Sequence, residues 1–161
     1  MTWYITPIQA SDRPWLRALW EREWGGLTMV SCGRVHSVDR VPGWIARDRD
    51  HRPVGAVTVA QDEKGTEIVS LNALIPRQGI GRQLLHTVET DPEVRRRGRL
   101  WLITSNDNLD ALAFYLRLGY RLTAIHRDAI TRARAQKPSI PLRGHYGIPL
   151  WDEWELEKAL D

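Results

Sequence analysis

The chain of 161 residues carries 42% hydrophobic and 27% charged side chains, a composition typical of one soluble globular domain with a substantial core. Its net charge of +3 is small, and the sequence shows no apolar run of membrane length, no basic and apolar leader, and no zinc-ligand spacing. The single cysteine, Cys32, excludes an internal disulfide and favours a reducing compartment. We therefore expect a cytoplasmic protein with no metal and no membrane partner.

The first third of the chain predicts a strand, then a helix, then a segment without a clear pattern. A β-prone start ends at Pro7, and Ser11 can cap a helix that Gly25 and Gly26 terminate. Residues 27–43 fit either loop or strand. His36 falls in this segment, where a structural role is the simpler interpretation and a role in a pocket stays open.

Three β-prone runs follow, at residues 44–47, 54–60 and 66–74, with polar turns between them. This spacing predicts a three-stranded antiparallel meander. The third run stops at Pro76, and Ile80, Leu84, Leu85 and Val88 then recur at helical spacing.

The turn between the third strand and this helix is Gln78-Gly79-Ile80-Gly81-Arg82. The first turn of a helix has unpaired backbone N–H groups and a positive dipole end, so the turn is a candidate phosphate site. The motif differs from the Rossmann fingerprint, which requires a small residue where Leu84 stands, and it lacks the P-loop lysine. Taken alone, it is also compatible with a simple tight turn.

An apolar run at residues 100–103 predicts a strand covered on both faces, and the right-handed crossover rule places it parallel to the strand at 66–74. The basic cluster before it, Arg95-Arg96-Arg97 and Arg99, is interpreted as a solvated turn rather than a nucleic-acid patch.

A second pattern lies in the next segment, which predicts a short helix between Asn108 and Gly119. It reads Asn-x-x-Ala-x-x-Phe-Tyr-x-x-x-Gly-Tyr, carried by Asn108, Ala111, Phe114, Tyr115, Gly119 and Tyr120. With the earlier Gly-x-Gly turn, it resembles the two ordered signatures of the GNAT superfamily of acyl-CoA-dependent N-acyltransferases. The first signature departs from the family at Pro76 and Arg77, where Arg or Gln and often glycine are usual.

The resemblance implies an α/β fold, with a mixed central sheet of about six or seven strands flanked by helices on both faces. It also implies that the parallel strands at 66–74 and 100–104 splay at one end, where the pantetheine arm enters. It also implies acetyl-CoA as acyl donor and direct attack by an amine, without a covalent enzyme intermediate. The expected cofactor-binding residues are Leu74, Gln78, Gly79, Ile80, Gly81, Arg82, Asn108 and Tyr115.

Acyl transfer needs a proton donor for the departing thiolate and a proton acceptor for the amine. The resemblance places Tyr115 beside the CoA sulfur as general acid, and packing of its ring is the alternative. Glu67 is the candidate general base, and an exposed strand carboxylate is the alternative. Cys32 as a nucleophile would need a nearby base that the sequence cannot place.

We expect a single domain over residues 1–161, in which 126–161 is an extension with a helix at 129–136, a proline-rich stretch and a last strand. Glu153, Glu155 and Glu157 are expected on one solvated face of that strand, and 126–150 could cover the acceptor site. The expected partner is a small-molecule or peptide amine, not nucleic acid, and a homodimer is left open. The alternative functions are a non-catalytic acyl-CoA-binding or sensor module and, ranked last, an RNA-binding domain.

Overall fold

The computed structural model describes residues 3–161, which contain nine strands and five α-helices. The strands are β1 (Trp3–Pro7), β2 (Thr28–Ser31), β3 (Arg34–Ser37), β4 (Gly43–Asp48), β5 (Pro53–Asp62), β6 (Gly65–Ala73), β7 (Arg99–Ser105), β8 (Arg121–His126) and β9 (Glu153–Ala159). The helices are α1 (Arg13–Trp24), α2 (Ile80–Thr90), α3 (Pro92–Arg97), α4 (Leu109–Arg117) and α5 (Ala129–Ala133).

Seven strands form one mixed sheet in the order β1-β4-β5-β6-β7-β9-β8, and β2 and β3 form a separate hairpin. The pair β6–β7 is parallel and every other described pair in the sheet is antiparallel. The expected fold class, meander and parallel crossover are therefore confirmed. The last strand, β9, lies between β7 and β8, so the C-terminal segment completes the sheet.

Alternation along the strands divides the core into one cluster on each face of the sheet. Face B carries α2, α3 and α4, which pack on Ile68, Leu100, Leu102 and Leu156. The opposite side, face A, carries α1, which packs on Ile45, Ala56 and Val69. Each fully buried aliphatic side chain contributes about 1.5–3 kcal/mol, so both faces must stay covered for the sheet to be stable.

Residues 91–97 differ from expectation, because most of the arginine cluster lies in a helix rather than a turn. The Asp91 side chain accepts hydrogen bonds from the N–H groups of Glu93 and Val94, both at 3.1 Å, and Pro92 occupies the first turn. The helix at the C-terminal side is shorter than expected, since α5 ends at Ala133. None of the helices within residues 3–161 is long and apolar enough to cross a membrane.

Lys137 anchors the C-terminal segment to the other end of the chain. Its Nζ donates to the carbonyl oxygens of Trp24, at 2.8 Å, and Thr28, at 2.7 Å, and the residue is only 9% exposed. Trp24 is the last residue of α1, where free carbonyls and the negative dipole end favour a cation. The contact therefore joins the segment after α5 to the end of α1.

We expect Lys137→Met to lower the free energy of unfolding by about 1.5–3 kcal/mol, the usual contribution of hydrogen bonds to a charged group. Urea unfolding followed by tryptophan fluorescence measures the change. Lys64→Met, at an exposed lysine, is the matched control and should stay within about 0.5 kcal/mol of the parent. Equal stability of the two variants would contradict an anchoring role for Lys137.

Candidate functional site

The parallel strands β6 and β7 separate after three residue pairs. Thr66, Glu67 and Ile68 pair with Leu100, Trp101 and Leu102, and the paired register ends there. At the same point β6 contains a bulge, because Val59 pairs with Ile68 while Thr58 pairs with Ser70, which leaves Val69 as the extra residue. A bulge bends its strand and increases the local twist, so it turns the rest of β6 away from β7. The expected splay is therefore present, and its origin is the bulge.

The glycine turn leads from the end of β6 into α2. Gly79 has a φ of 77°, a left-handed conformation that glycine adopts without strain, and Arg77 has a φ of 62°. The first bond at the start of α2 runs from Gln83 N to Gly79 O at 3.0 Å, so Ile80, Gly81 and Arg82 have no N–H acceptor inside the helix. No side chain caps this end. These free N–H groups and the helix dipole make the turn suitable for an anion.

Positive charge surrounds this turn. A shallow cavity of about 390 Å³ opens beside it, lined by Trp3, Gln78, Gly79, Arg82, Gln83 and His86. Arg77 and Arg82 are exposed, and among the described residues neither pairs with a carboxylate. Two uncommitted guanidinium groups at a helix N-terminus strengthen its attraction for phosphate.

The two sequence signatures meet in space through α4. A Cβ added at Gly81 would lie 3.7 Å from Phe114 Cζ and 3.9 Å from Ala73 Cβ, so the Phe114 ring borders the glycine turn. Asn108 caps α4, with its side-chain oxygen accepting from Ala111 N at 3.3 Å. Leu74 lies at the end of β6, but its side chain packs with the α1 cluster on face A.

Two tyrosines of the second signature are buried side by side, with ring centroids 5.4 Å apart. Tyr120 donates its hydroxyl to Glu89 Oε2 at 2.9 Å, and Lys158 Nζ donates to the same oxygen at 3.0 Å. Within residues 3–161 the Tyr115 hydroxyl has no such partner. Burial raises the pKa of Tyr115, which keeps its hydroxyl protonated at neutral pH and makes it a weaker acid than a free phenol. The Tyr120 hydroxyl is therefore held by a structural hydrogen bond, while the Tyr115 hydroxyl has no protein acceptor within the described residues.

Glu67 is 1% exposed and is not the exposed strand carboxylate considered as its alternative. The Ser31 hydroxyl donates to its Oε2, and His36 Nε2 lies 3.2 Å from its Oε1. The His36 ring is not aligned for a hydrogen bond, so this approach is a close contact between polar atoms. Arg34 Nη1 lies farther away, at 3.8 Å from the same oxygen. These side chains thus enclose the Glu67 carboxylate and separate it from solvent.

Face A also carries a large cavity of about 910 Å³ between the β2–β3 hairpin, the β5–β6 turn and α5. Its lining residues with charged or reactive groups are Cys32, Arg34, Asp62, Glu63, Lys64, Arg99, His126, Arg132 and Glu155. Trp101 forms part of its floor, and its indole Nε1 is buried without a partner. The mixture of both charges fits a polar molecule better than an apolar one.

The solvated interpretation of the β9 glutamates is wrong. Glu153 is 1% exposed, and its Oε2 accepts from the backbone N–H of Cys32 at 3.2 Å. Arg99 donates to Glu155 at 2.6 Å and also to Glu157. The three carboxylates do share one face, but the β2–β3 hairpin and α5 cover its inner part. Alternation predicted the shared face, and only the topology puts a hairpin over it.

Cys32 meets a candidate base in the structure. His126, Glu155 and Cys32 place their ligand atoms within 4.8 Å of one another. Burial and the neighbouring carboxylates Glu153, Glu155 and Glu67 raise the pKa of the thiol to about 11, although the residue as a whole is exposed. A neutral thiol is a poor nucleophile, so this surrounding argues against an acylated Cys32.

The basic cluster is engaged in internal contacts. Arg96 and Arg97 pair with Glu93 at 2.6 and 3.1 Å, and Arg95 donates to the carbonyl of Asp161. Arg99 points to the β9 glutamates. These arginines therefore form ion pairs and hydrogen bonds within the protein and are not arranged as an unpaired basic surface.

Comparison with known protein families assigns the chain to one of them. Residues 5–120 match the model of the acetyltransferase (GNAT) family. The chain belongs to this family.

Two relatives from Bacillus subtilis (strain 168) extend the match to the full length. The uncharacterized protein YxbD is 36% identical over 156 residues, covering 97% of this chain and 98% of the relative. The uncharacterized protein YdhI is 33% identical over 157 residues and covers 98% of both chains. A GNAT family acetyltransferase from Elizabethkingia anophelis, crystallised with acetyl-CoA bound, shares the fold with a TM-score of 0.74 at 20% identity, and 99% of each chain is covered.

The sequence reasoning missed the partners of Glu67. Ser31 and His36 belong to the segment without a clear pattern, 31 or more residues before Glu67, and the hairpin that brings them to β6 has no strong local signal. The sequence leaves a pocket role open for His36, and the structure places its ring against the candidate base.

The contrast between the two tyrosines predicts different effects of removing each hydroxyl. Tyr120→Phe should lower the free energy of unfolding by about 1–2 kcal/mol, because Glu89 loses a hydrogen-bond donor in a buried network. Tyr115→Phe should stay within about 0.5 kcal/mol of the parent. Parallel urea titrations measure both values. A loss of stability in Tyr115→Phe equal to that in Tyr120→Phe would show that the Tyr115 hydroxyl has a structural partner.

Proposed function

We propose that this GNAT family member transfers the acetyl group of acetyl-CoA to an amine by direct attack. The observation that carries the proposal is the separation of β6 and β7 beside the uncapped N-terminus of α2. The gap between the two parallel strands could hold a long, narrow molecule. The anion site at one end of the gap could bind the phosphates of that molecule. The Elizabethkingia relative with acetyl-CoA bound supports this choice of ligand.

The proposed pyrophosphate site is the glycine turn. Backbone N–H groups from Gln78 to Arg82 would contact the phosphate oxygens, with Arg82 adding charge. Gly81 leaves open the space that a side chain would occupy, since its Cβ would meet only Phe114 and Ala73 at ordinary contact distances. This assignment covers Gln78, Gly79, Ile80, Gly81 and Arg82.

The pantetheine arm is proposed to lie in the gap between the strands. Beyond Ile68, β6 has no pairing with β7, so its backbone groups on that edge are available to the amides of the arm. Leu74, also among the expected cofactor-binding residues, donates its N–H to Val54 O of β5 at 2.9 Å, so this group is already bonded on the side of β6 away from the gap. Asn108 retains a side-chain amide group for the cofactor after its oxygen caps α4.

Proton transfer is assigned to Tyr115 and Glu67. Tyr115 would donate its hydroxyl proton to the departing thiolate, since this hydroxyl has no protein partner within the described chain. Glu67 is enclosed, so it would take the amine proton through an ordered water or through His36, which lies 3.2 Å away. The large cavity on face A is the proposed acceptor site, and the helix α5 forms one of its walls.

A non-catalytic acyl-CoA-binding module is the second candidate. It is favoured by the enclosure of Glu67, whose two oxygens already face Ser31, His36 and Arg34. A screen of acetyl-CoA with chemically diverse small-molecule and peptide amines, read by free-thiol release, separates the two functions. Cofactor binding without turnover on any amine would favour the binding module.

The cofactor site is tested with Gly81→Asp. The added carboxylate should abolish the rise in melting temperature that acetyl-CoA produces, because it repels the phosphates at close range. The fold should persist, since an acidic residue at a helix N-terminus is stabilising and Gly81 has space for a side chain.

Gly81→Ala is the matched control, and it should keep most of the acetyl-CoA stabilisation. If the folded Gly81→Asp protein is stabilised by acetyl-CoA as strongly as the parent, the phosphate site lies elsewhere.

The proton donor is tested with Tyr115→Phe. Loss of a general acid should lower kcat by about 10²–10⁴-fold while acetyl-CoA affinity changes little. Thiol release under saturating acetyl-CoA, with an acceptor found in the amine screen, measures the change. Tyr120→Phe is the matched control, because its hydroxyl is held by Glu89.

Two outcomes distinguish the possible roles. A rise in KM alone would assign Tyr115 to binding. Unchanged kcat in Tyr115→Phe, with the chemical step rate-limiting, would leave water as the proton donor. Glu67→Gln is read in the same assay, and full activity of both variants would indicate catalysis by orientation alone.

A further inference from the structure

A thiol, an imidazole and a carboxylate meet at the mouth of the large cavity on face A. Cys32 belongs to the turn of the β2–β3 hairpin, His126 ends β8, and Glu155 lies in the middle of β9. One ligand atom from each lies within 4.8 Å of the other two. The three residues are far apart in sequence, and the tertiary fold alone brings them together.

The spacing is close to that of a metal site. Zinc binds thiolate sulfur at about 2.3 Å and imidazole nitrogen or carboxylate oxygen at about 2.0–2.2 Å, so tetrahedral ligands lie about 3.3–3.6 Å apart. His126 Nε2 and Glu155 Oε1 are 2.9 Å apart and would open slightly around an ion. Small side-chain rotations would bring the Cys32 sulfur within reach.

The ligand types select the class of cation. A thiolate with an imidazole suits zinc and its chemical relatives, whereas calcium and magnesium prefer oxygen ligands alone. Arg99 holds the other oxygen of Glu155 at 2.6 Å, and such a hydrogen bond orients a ligating carboxylate. Three protein ligands would leave a fourth coordination position for water or another small ligand.

Glu153 supplies an independent observation. It is 1% exposed, one of its oxygens accepts from the Cys32 backbone, and the other has no partner within residues 3–161. A buried carboxylate oxygen without a partner costs free energy unless a cation or donor lies nearby. A divalent cation beside Cys32 would compensate this charge.

We propose that Cys32, His126 and Glu155 bind one zinc-class divalent cation, with Glu153 offsetting its charge. The ion would tie the β2–β3 turn to β8 and β9 across the cavity mouth. The proposal does not depend on the acetyl transfer proposed above: its three side chains border the cavity proposed for the acceptor, but they lie outside the phosphate and thiolate sites.

The test uses the full chain without a histidine tag and Co²⁺ as a spectroscopic probe. We expect one equivalent to bind with a thiolate-to-cobalt charge-transfer band, and Zn²⁺ to displace it. Cys32→Ser should remove the band. His126→Ala should weaken binding by more than the about 10–100-fold that loss of an outer-shell partner costs. His145→Ala, at an exposed histidine, is the matched control.

A second experiment measures thiol alkylation in the parent protein, so its result does not depend on whether the variants fold. Cys32 is the only cysteine, so the reaction reports on this site alone. Zn²⁺ should slow the alkylation, and a chelator should restore its rate. An alkylation rate that does not change with Zn²⁺ would overturn the proposal. A charge-transfer band of cobalt that persists in Cys32→Ser would overturn it as well.

Discussion

The site depends on one constraint: β6 can pair with β7 for only three residues. The bulge at Val69 turns the strand, and the backbone beyond it loses its neighbour on one side. Buried backbone groups need hydrogen-bond partners, so such a gap is stable only beside solvent or a ligand. The bulge therefore removes sheet hydrogen bonds at the place where the pantetheine arm is proposed to lie.

Packing around the start of α2 maintains this gap. A Cβ at Gly55 would lie 2.8 Å from Asn72 O and from Ile80 Cγ2, so glycine on β5 allows α2 to begin directly against the sheet. Phe114 of α4 closes the other side of the turn next to Gly81. The phosphate site and the tyrosine helix thus share one packing contact, and a change in either element would be transmitted to the other.

Face A concentrates buried charge in a way that stability alone does not favour. Glu67 and Glu153 are both 1% exposed, and each retains an oxygen without an aligned hydrogen bond among the described residues. Taking a carboxylate out of water costs several kcal/mol unless it is well paired. Ser31 and His36 supply part of that pairing for Glu67, and the backbone N–H of Cys32 supplies part of it for Glu153. Burial raises the pKa of Glu153, and ionisable groups with shifted pKa values cluster at functional sites.

The sequence by itself determined the fold class, the meander, the glycine turn and the helix of Tyr115, because each depends on local periodicity, caps and turn residues. It also placed three glutamates on one face of β9. Only the tertiary structure decided that Glu153 is buried, that Ser31 and His36 reach Glu67, and that His126 approaches Cys32. These contacts join segments more than 30 residues apart, through a hairpin and a strand order that local pattern does not encode. The local sequence does not predict the bulge at Val69 either, since the bulge results from the register of two paired strands.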